Sequence, residues 1–243
     1  MTRLAEYFDG LFHKRGPRAK LLLTCALLLA SVTACARSAP DAAAPLAAAS
    51  KPTVTAAPAA STPATRGETA TAIFAGGCFW CMEPPYDKLP GVISTTSGFT
   101  AGRTVNPSYE QVSSGGTGHT EAVRVVYDPS KVSYAKLLDV FWRNIDPVAV
   151  NRQFCDVGDI YRSGIYPTDA GQLRLAEASR KTLQASGRFP GGIATEIKPA
   201  SAFYPAEEYH QDYYVKNPIR YRYYRFNCGR DQRLREVWGP PAG

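Results

Sequence analysis

The chain has 243 residues, 44% of them hydrophobic, and a formal charge of +7. That apolar share is enough for a buried core. The charge does not mark a nucleic-acid binder. Arg3, Lys14, Arg15, Arg18 and Lys20 sit ahead of an apolar run against only Glu6 and Asp9, and without residues 1–34 the charge is +4, spread out with no Lys/Arg block to track a phosphate backbone.

In chain order, the basic first twenty residues are followed by the apolar stretch Leu21 to Ala30 and the small residues Val32-Thr33-Ala34-Cys35. This is the layout of an export signal. The apolar run is shorter than the ~20 residues a membrane-spanning helix needs. Residues 36–70 are almost wholly Ala, Pro, Ser and Thr, which offer little to bury, so 35–70 reads as a semi-extended tether. The folded part is expected over 71–239, with 240–243 as a tail. Thr71 to Ala75 is strand-like and ends at Gly76-Gly77. A helix can follow from Phe79 towards Leu89, with Pro84 and Pro85 expected to kink or restart it. Val92–Phe99 and Glu121–Tyr127 are strand-like. Ser133 caps a helix over 134–144 with Leu137, Leu138, Phe141 and Trp142 on one face. Another helix fits Asp169–Ala185, a strand Ile193–Lys198 and a short helix Glu207–Tyr214. The mixed order predicts an α+β fold with a mostly antiparallel sheet.

Of six cysteines, Cys25 would leave with the signal, and four lie in the folded part: Cys78, Cys81, Cys155 and Cys228. Four exported thiols are too few for a disulfide scaffold and suit a redox site. The stretch Gly76-Gly77-Cys78-Phe79-Trp80-Cys81 is the most informative. Two glycines allow a tight turn, and a cysteine at the mouth of a helix is expected to have a lowered pKa, the thiolate being the nucleophile. Phe79 and Trp80 on consecutive positions cannot both enter one core, and beside a nucleophile they suit a pocket for an apolar group such as an S-methyl. His119 and His210 are far apart in sequence and read as hydrogen-bonding structural residues, with no zinc-site spacing between them. Cys155 reads as a small buried thiol.

These residues resemble the A-type peptide methionine sulfoxide reductases. The resemblance starts at Gly77-Cys78-Phe79-Trp80 and continues through PSYEQV (107–112), TGHTEA (117–122), DVGDIYRS (156–163) and YHQ (209–211), spanning essentially 71–239. It implies a two-layer α+β sandwich related to ferredoxin-like folds, with no metal or organic cofactor. Cys78 would attack the sulfoxide sulfur, Phe79 and Trp80 would hold the substrate methyl, and Glu121 would protonate the oxygen, which leaves poorly until protonated. Tyr109 and Tyr161 would donate hydrogen bonds to that oxygen, with Asp156 a further polar group of the site. The resulting sulfenic acid on Cys78 needs a second thiol. Cys81 forms a Cys-x-x-Cys pair with it, whereas Cys228 lies in a segment expected to be a mobile tail, and both remain candidates, as does a relay through both. Substrates would be oxidised proteins and free methionine S-sulfoxide, and the reductant a thioredoxin-like partner. The signal resembles a bacterial lipobox, which implies export to the periplasm or cell exterior and anchoring by a lipid on Cys35; the protein is separately expected to be a monomer. Two other readings, a thioredoxin-like disulfide oxidoreductase built on Cys78 and Cys81 and a lipid-tethered thioether-binding module, would not consume methionine sulfoxide.

Overall fold

The computed structural model describes residues 67–240. Cys35, the export signal and most of the tether lie outside them. In chain order the elements are β1 (Ala70–Gly76), α1 (Phe79–Asp87), β2 (Val92–Thr100), α2 (Tyr109–Ser113), β3 (Thr120–Tyr127), α3 (Tyr134–Arg143), a short hairpin of β4 (Arg152–Gln153) and β5 (Asp156–Val157), then β6 (Ser163–Ile165), α4 (Ala170–Ala185), β7 (Glu196–Ile197), β8 (Tyr204–Pro205), α5 (Tyr213–Lys216), α6 (Pro218–Asn227) and α7 (Arg230–Trp238).

Six strands form one sheet in the order β7-β6-β1-β3-β2-β8. Every pairing is antiparallel except β6 with β7. The fold is therefore α+β with a mixed sheet, as the sequence leads one to expect; its parallel pairing closes a β6-α4-β7 unit, and Cys78 and Cys81 lie outside that unit, on α1. Alternation along the strands sorts side chains to the two faces. Ala72 and Phe74 of β1 join Val123, Val125 and Tyr127 of β3 in the main core, while Ile73, Ala75 and Ala122 join a smaller cluster with Tyr166 behind the sheet. Glu121 belongs to the same face as Val123 and Val125, so its position in β3 aims it at the helical layer. That layer is α1 and α3 against the sheet, with α4 packed on α3. Phe74 anchors it, its ring 5.4 Å from Tyr86, 5.9 Å from Tyr134 and 5.3 Å from Phe141. Burying each such ring contributes roughly 1.5–3 kcal/mol.

Helix α3 forms as its sequence dictates, with the Ser133 side chain accepting from the Lys136 N–H and Leu137, Leu138, Phe141 and Trp142 buried. Other elements differ from expectation. Helix α1 runs through Pro84 and Pro85 to Asp87 without a restart. The prolines fall in its last turns, and the helical pattern continues past them, with the Lys88 N–H reaching the Pro84 carbonyl. The expected strand over 193–198 shortens to Glu196–Ile197, and the expected helix over 207–214 is a 3-10 turn, Glu208–His210, followed by the separate α5. The expected mobile tail around Cys228 is instead the junction of two helices, where Gly229 (φ +66) takes the left-handed conformation that turns the chain from α6 into α7.

Candidate active site

The site is built where β1 delivers the chain into α1. Gly77 has φ +78, and a Cβ there would stand 2.5 Å from the Gln153 side chain, so only glycine lets the backbone turn this closely. The next residue, Cys78, is the N-cap of α1, and Cys81 follows one turn later, its N–H bonded to the Cys78 carbonyl at 3.0 Å. Both thiols are free and buried, and each acts on the other's ionisation. The expectation that the helix N-terminus lowers the Cys78 pKa is not met. Burial, then Cys81 and the neighbouring Glu121 push the Cys78 thiol up. Cys81 is pulled down, chiefly by Cys78 and then by the Arg230 and Arg225 charges, which outweigh its burial. One anion shared by two sulfurs is the arrangement that a dry pocket tolerates.

Glu121 is 2% exposed, and its carboxylate accepts from the Phe79 N–H at 3.0 Å. Burial raises its pKa to about 8, with Asp156 and Cys81 adding to the rise against that hydrogen bond. At neutral pH it is therefore a carboxylic acid with a proton to give, set against the N-terminal turn that carries Cys78. Burial raises the Tyr109 and Tyr161 hydroxyls, and the fields of Glu121 and Cys78 act on both. Tyr161 closes a 3-10 turn that Thr120 ties to β3 through its hydroxyl on the Ile160 carbonyl, 2.9 Å. Asp156 sits in β5, accepts from the Tyr224 hydroxyl at 2.6 Å and lies 4.0 Å from Cys228 Sγ, and burial raises its pKa.

The aromatic pair divides as two consecutive helical positions must. Phe79 is buried in the core, whereas Trp80 is half-buried, stacked on Tyr213 at 3.8 Å, with its indole N–H donating to His210 Nδ1 at 3.1 Å. That bond puts the proton of neutral His210 on Nε2, and burial holds the His210 pKa low. The His210 ring is 4.3 Å from Tyr109 and 5.1 Å from Phe79. His119 lies away from this wall and meets the Thr104 carbonyl at 2.8 Å, a structural role.

Cys78, Phe79, Trp80, Cys81, Tyr109, Glu121, Asp156 and Tyr161 thus converge on one place. The expectation for Cys155 is corrected: it is exposed and joined to Cys228 in a disulfide with Cα atoms 4.9 Å apart. Their pairing follows from topology, since the β4–β5 turn is laid against the α6–α7 junction across 73 residues. Cys155, Asp156 and Cys228 are close enough together to suggest a metal cluster, but their two sulfurs are bonded to each other. Two site residues were not anticipated, Tyr224 and Arg230, both in the Arg- and Tyr-rich segment 218–238. The one available signal was Arg230 standing two residues from Cys228.

The model of the peptide methionine sulfoxide reductase family matches residues 70–241. The peptide methionine sulfoxide reductase MsrA of Ligilactobacillus salivarius is 53% identical over 168 residues, 69% of this chain and 97% of the relative. The Bacillus licheniformis protein of the same name is 51% identical over 168 residues, 69% of this chain and 93% of its own length. Among solved structures, methionine sulfoxide reductase A of Corynebacterium diphtheriae superposes with a TM-score of 0.57 at 38% identity, covering 64% of this chain and 79% of that one. Mxr1 from Saccharomyces cerevisiae in its reduced form gives 0.57 at 33% identity, covering 62% and 87%. The match runs from β1 through α7, across the whole of the site just described, and the chain belongs to the peptide methionine sulfoxide reductase family.

Proposed function

We infer that this chain is a methionine-S-sulfoxide reductase, acting on the free amino acid and on oxidised proteins, in which Cys78 is the nucleophile and Glu121 the acid. The observation that carries the reading is the buried, protonated Glu121 held against the turn that bears Cys78. Cys78 sulfur attacks the sulfoxide sulfur as Glu121 protonates the departing oxygen. The protonated oxygen passes to the Cys78 sulfur as the new S–S bond breaks, its electron pair leaving with methionine, and Cys78 is left as a sulfenic acid. Trp80 and Phe79 hold the S-methyl group, and Tyr109 and Tyr161, kept protonated by burial, donate to the oxygen. Cys81 then resolves the sulfenic acid, forming the Cys78–Cys81 disulfide and releasing water. It is a free thiol one helical turn from Cys78, its N–H bonded to the Cys78 carbonyl, whereas the sulfur of Cys228 is engaged with Cys155. A thioredoxin-like dithiol returns the pair to the reduced state.

The finer reading is of an exported monomer, held at a membrane by a lipid on Cys35 and facing the periplasm or cell exterior. The disulfide between Cys155 and Cys228 supports an oxidising compartment. The deciding assay is reduction of the separated S and R epimers of a methionine-sulfoxide peptide with dithiothreitol as donor. Turnover of the S epimer alone, abolished in Cys78→Ser, is expected. Equal turnover of both epimers, or activity that survives Cys78→Ser, would refute the assignment.

A further inference from the structure

Arg230 is 1% exposed, and among the described residues its guanidinium makes no ion pair with a carboxylate. A buried cation is costly unless an anion answers it, so something near it must carry negative charge. Its contacts say where. Nη2 donates to the Gly76 carbonyl at 3.1 Å, meets Met82 sulfur at 3.1 Å and donates to the Asn144 carbonyl at 2.7 Å. Nη1 lies 3.8 Å from the point where a Cβ on Gly77 would stand. Gly76 and Gly77 immediately precede Cys78, and Met82 immediately follows Cys81, so the guanidinium grips the thiol-bearing turn at both ends.

The cation is held there from the other side too. Its Cζ stands 4.3 Å over the Phe154 ring, a cation–π contact. Phe154 has φ +55, a strained conformation for a bulky residue. It adjoins Cys155, and Arg230 is two residues from Cys228, so the Cys155–Cys228 disulfide pins both partners of the stack. The charged and titratable groups around the thiols are Glu121 from β3, Asp156 from β5, Tyr109 from α2, Tyr161 from its 3-10 turn, Tyr221, Tyr224 and Arg225 from α6, and Arg230 from α7. Glu121 is kept neutral by burial, Asp156 accepts from Tyr224 and also lies in the field of Arg230 though it forms no ion pair with it, and Arg225 is paired with Asp231.

We propose that Arg230 is a positioning residue of the thiol pair, its buried guanidinium serving as the counter-charge that lets Cys81 stand as a thiolate ready to attack the Cys78 sulfenic acid. In that step the Cys81 sulfur supplies the electron pair of the new S–S bond. The S–O bond of Cys78 breaks, and the leaving hydroxide takes one proton from an acid of the pocket to become water. No electron acceptor beyond the sulfenic acid is needed. The redox step rests on the reductase reading, but the protonation state of the pair does not.

The test therefore uses no substrate. In the full chain carrying Cys25→Ser and Cys35→Ser, with Cys155–Cys228 intact and the two remaining free thiols, Cys78 and Cys81, verified by titration, thiolate absorbance at 240 nm is followed against pH for this parent and for its Arg230→Gln and Arg230→Lys variants. Arg230→Gln should move the first ionisation of the pair up by about one to three pH units, while Arg230→Lys should keep it near the parent's midpoint. An unchanged midpoint in folded Arg230→Gln overturns the proposal. Should that variant not fold, Phe154→Leu, which takes away the ring beneath the guanidinium, decides instead: an upward shift supports the proposal and no shift overturns it. A normal titration in a parent that turns over no sulfoxide would count against the reductase reading alone.

Discussion

A carboxyl group that must give up a proton at neutral pH has to be held above its ordinary range, and at Glu121 the means is removal from water. With a pKa of about 8 the side chain is mostly protonated at pH 7. The proton is bound more tightly folded than unfolded, so its contribution to stability is complete below the ordinary carboxylate pKa and is lost as pH rises through about 8. Its catalytic contribution fades over the same alkaline range. The S-epimer rate of the wild type should therefore fall on an alkaline limb centred near that value. Glu121→Gln should slow turnover by roughly 10²- to 10⁴-fold and remove the limb. A pH-rate profile in which the limb persists in Glu121→Gln would assign it to another group. At this scale the sequence is informative where a short motif surrounds a reactive atom, as for Cys78 and Glu121. It is silent on Cys155, whose partner lies 73 residues away and is chosen by the fold, and on Arg230, whose role depends on what its head group meets.

Helix α1 sets the order of the thiols. Cys78 at its cap and Cys81 a turn later are both free thiols carried by the same helix, whereas Cys228 is held at the α6–α7 junction by Cys155. Exposed to one equivalent of methionine-sulfoxide peptide, Cys81→Ser should release methionine normally but retain a sulfenic acid that dimedone traps, and its multiple turnover with a thioredoxin-like donor should drop at least about tenfold. Cys228→Ser should trap nothing and keep cycling. The reverse pattern would make Cys228 the resolving thiol. Elements are legible in the sequence to the extent that their own periodicity buries them: β1 and β3 alternate between two cores, and α3 has a single apolar stripe. Of the two-residue strands, β7 and β8 exist only through pairing with distant chain, and β4 and β5 form a hairpin too short to show a periodicity. Helix α6 escapes such reading because it buries no residue fully, being an Arg- and Tyr-rich helix laid against the site.

On the scale of the whole molecule, the family match begins at residue 70, and no helix among the described residues is long and apolar enough to cross a membrane. The attachment proposed above is through the preceding segment, where Val-Thr-Ala-Cys ends the apolar run. A single acyl chain binds a bilayer only marginally, whereas two or more give stable anchoring, so a lipoprotein-type modification of Cys35 would hold the enzyme firmly while the Ala/Pro-rich tether leaves it room to reach oxidised surfaces. In a bacterial host, the wild-type chain should sediment with membranes and resist high-salt washing, and the mass of its N-terminal peptide should be that of a cleaved, acylated Cys35. Cys35→Ser should appear in the soluble fraction or uncleaved, with the same specific activity towards a methionine-sulfoxide peptide, since the residues that build the site all fall between Gly76 and Arg230. A wild-type protein released by salt, or a mature N-terminus other than Cys35, would exclude the lipid anchor while leaving the reductase chemistry as it stands.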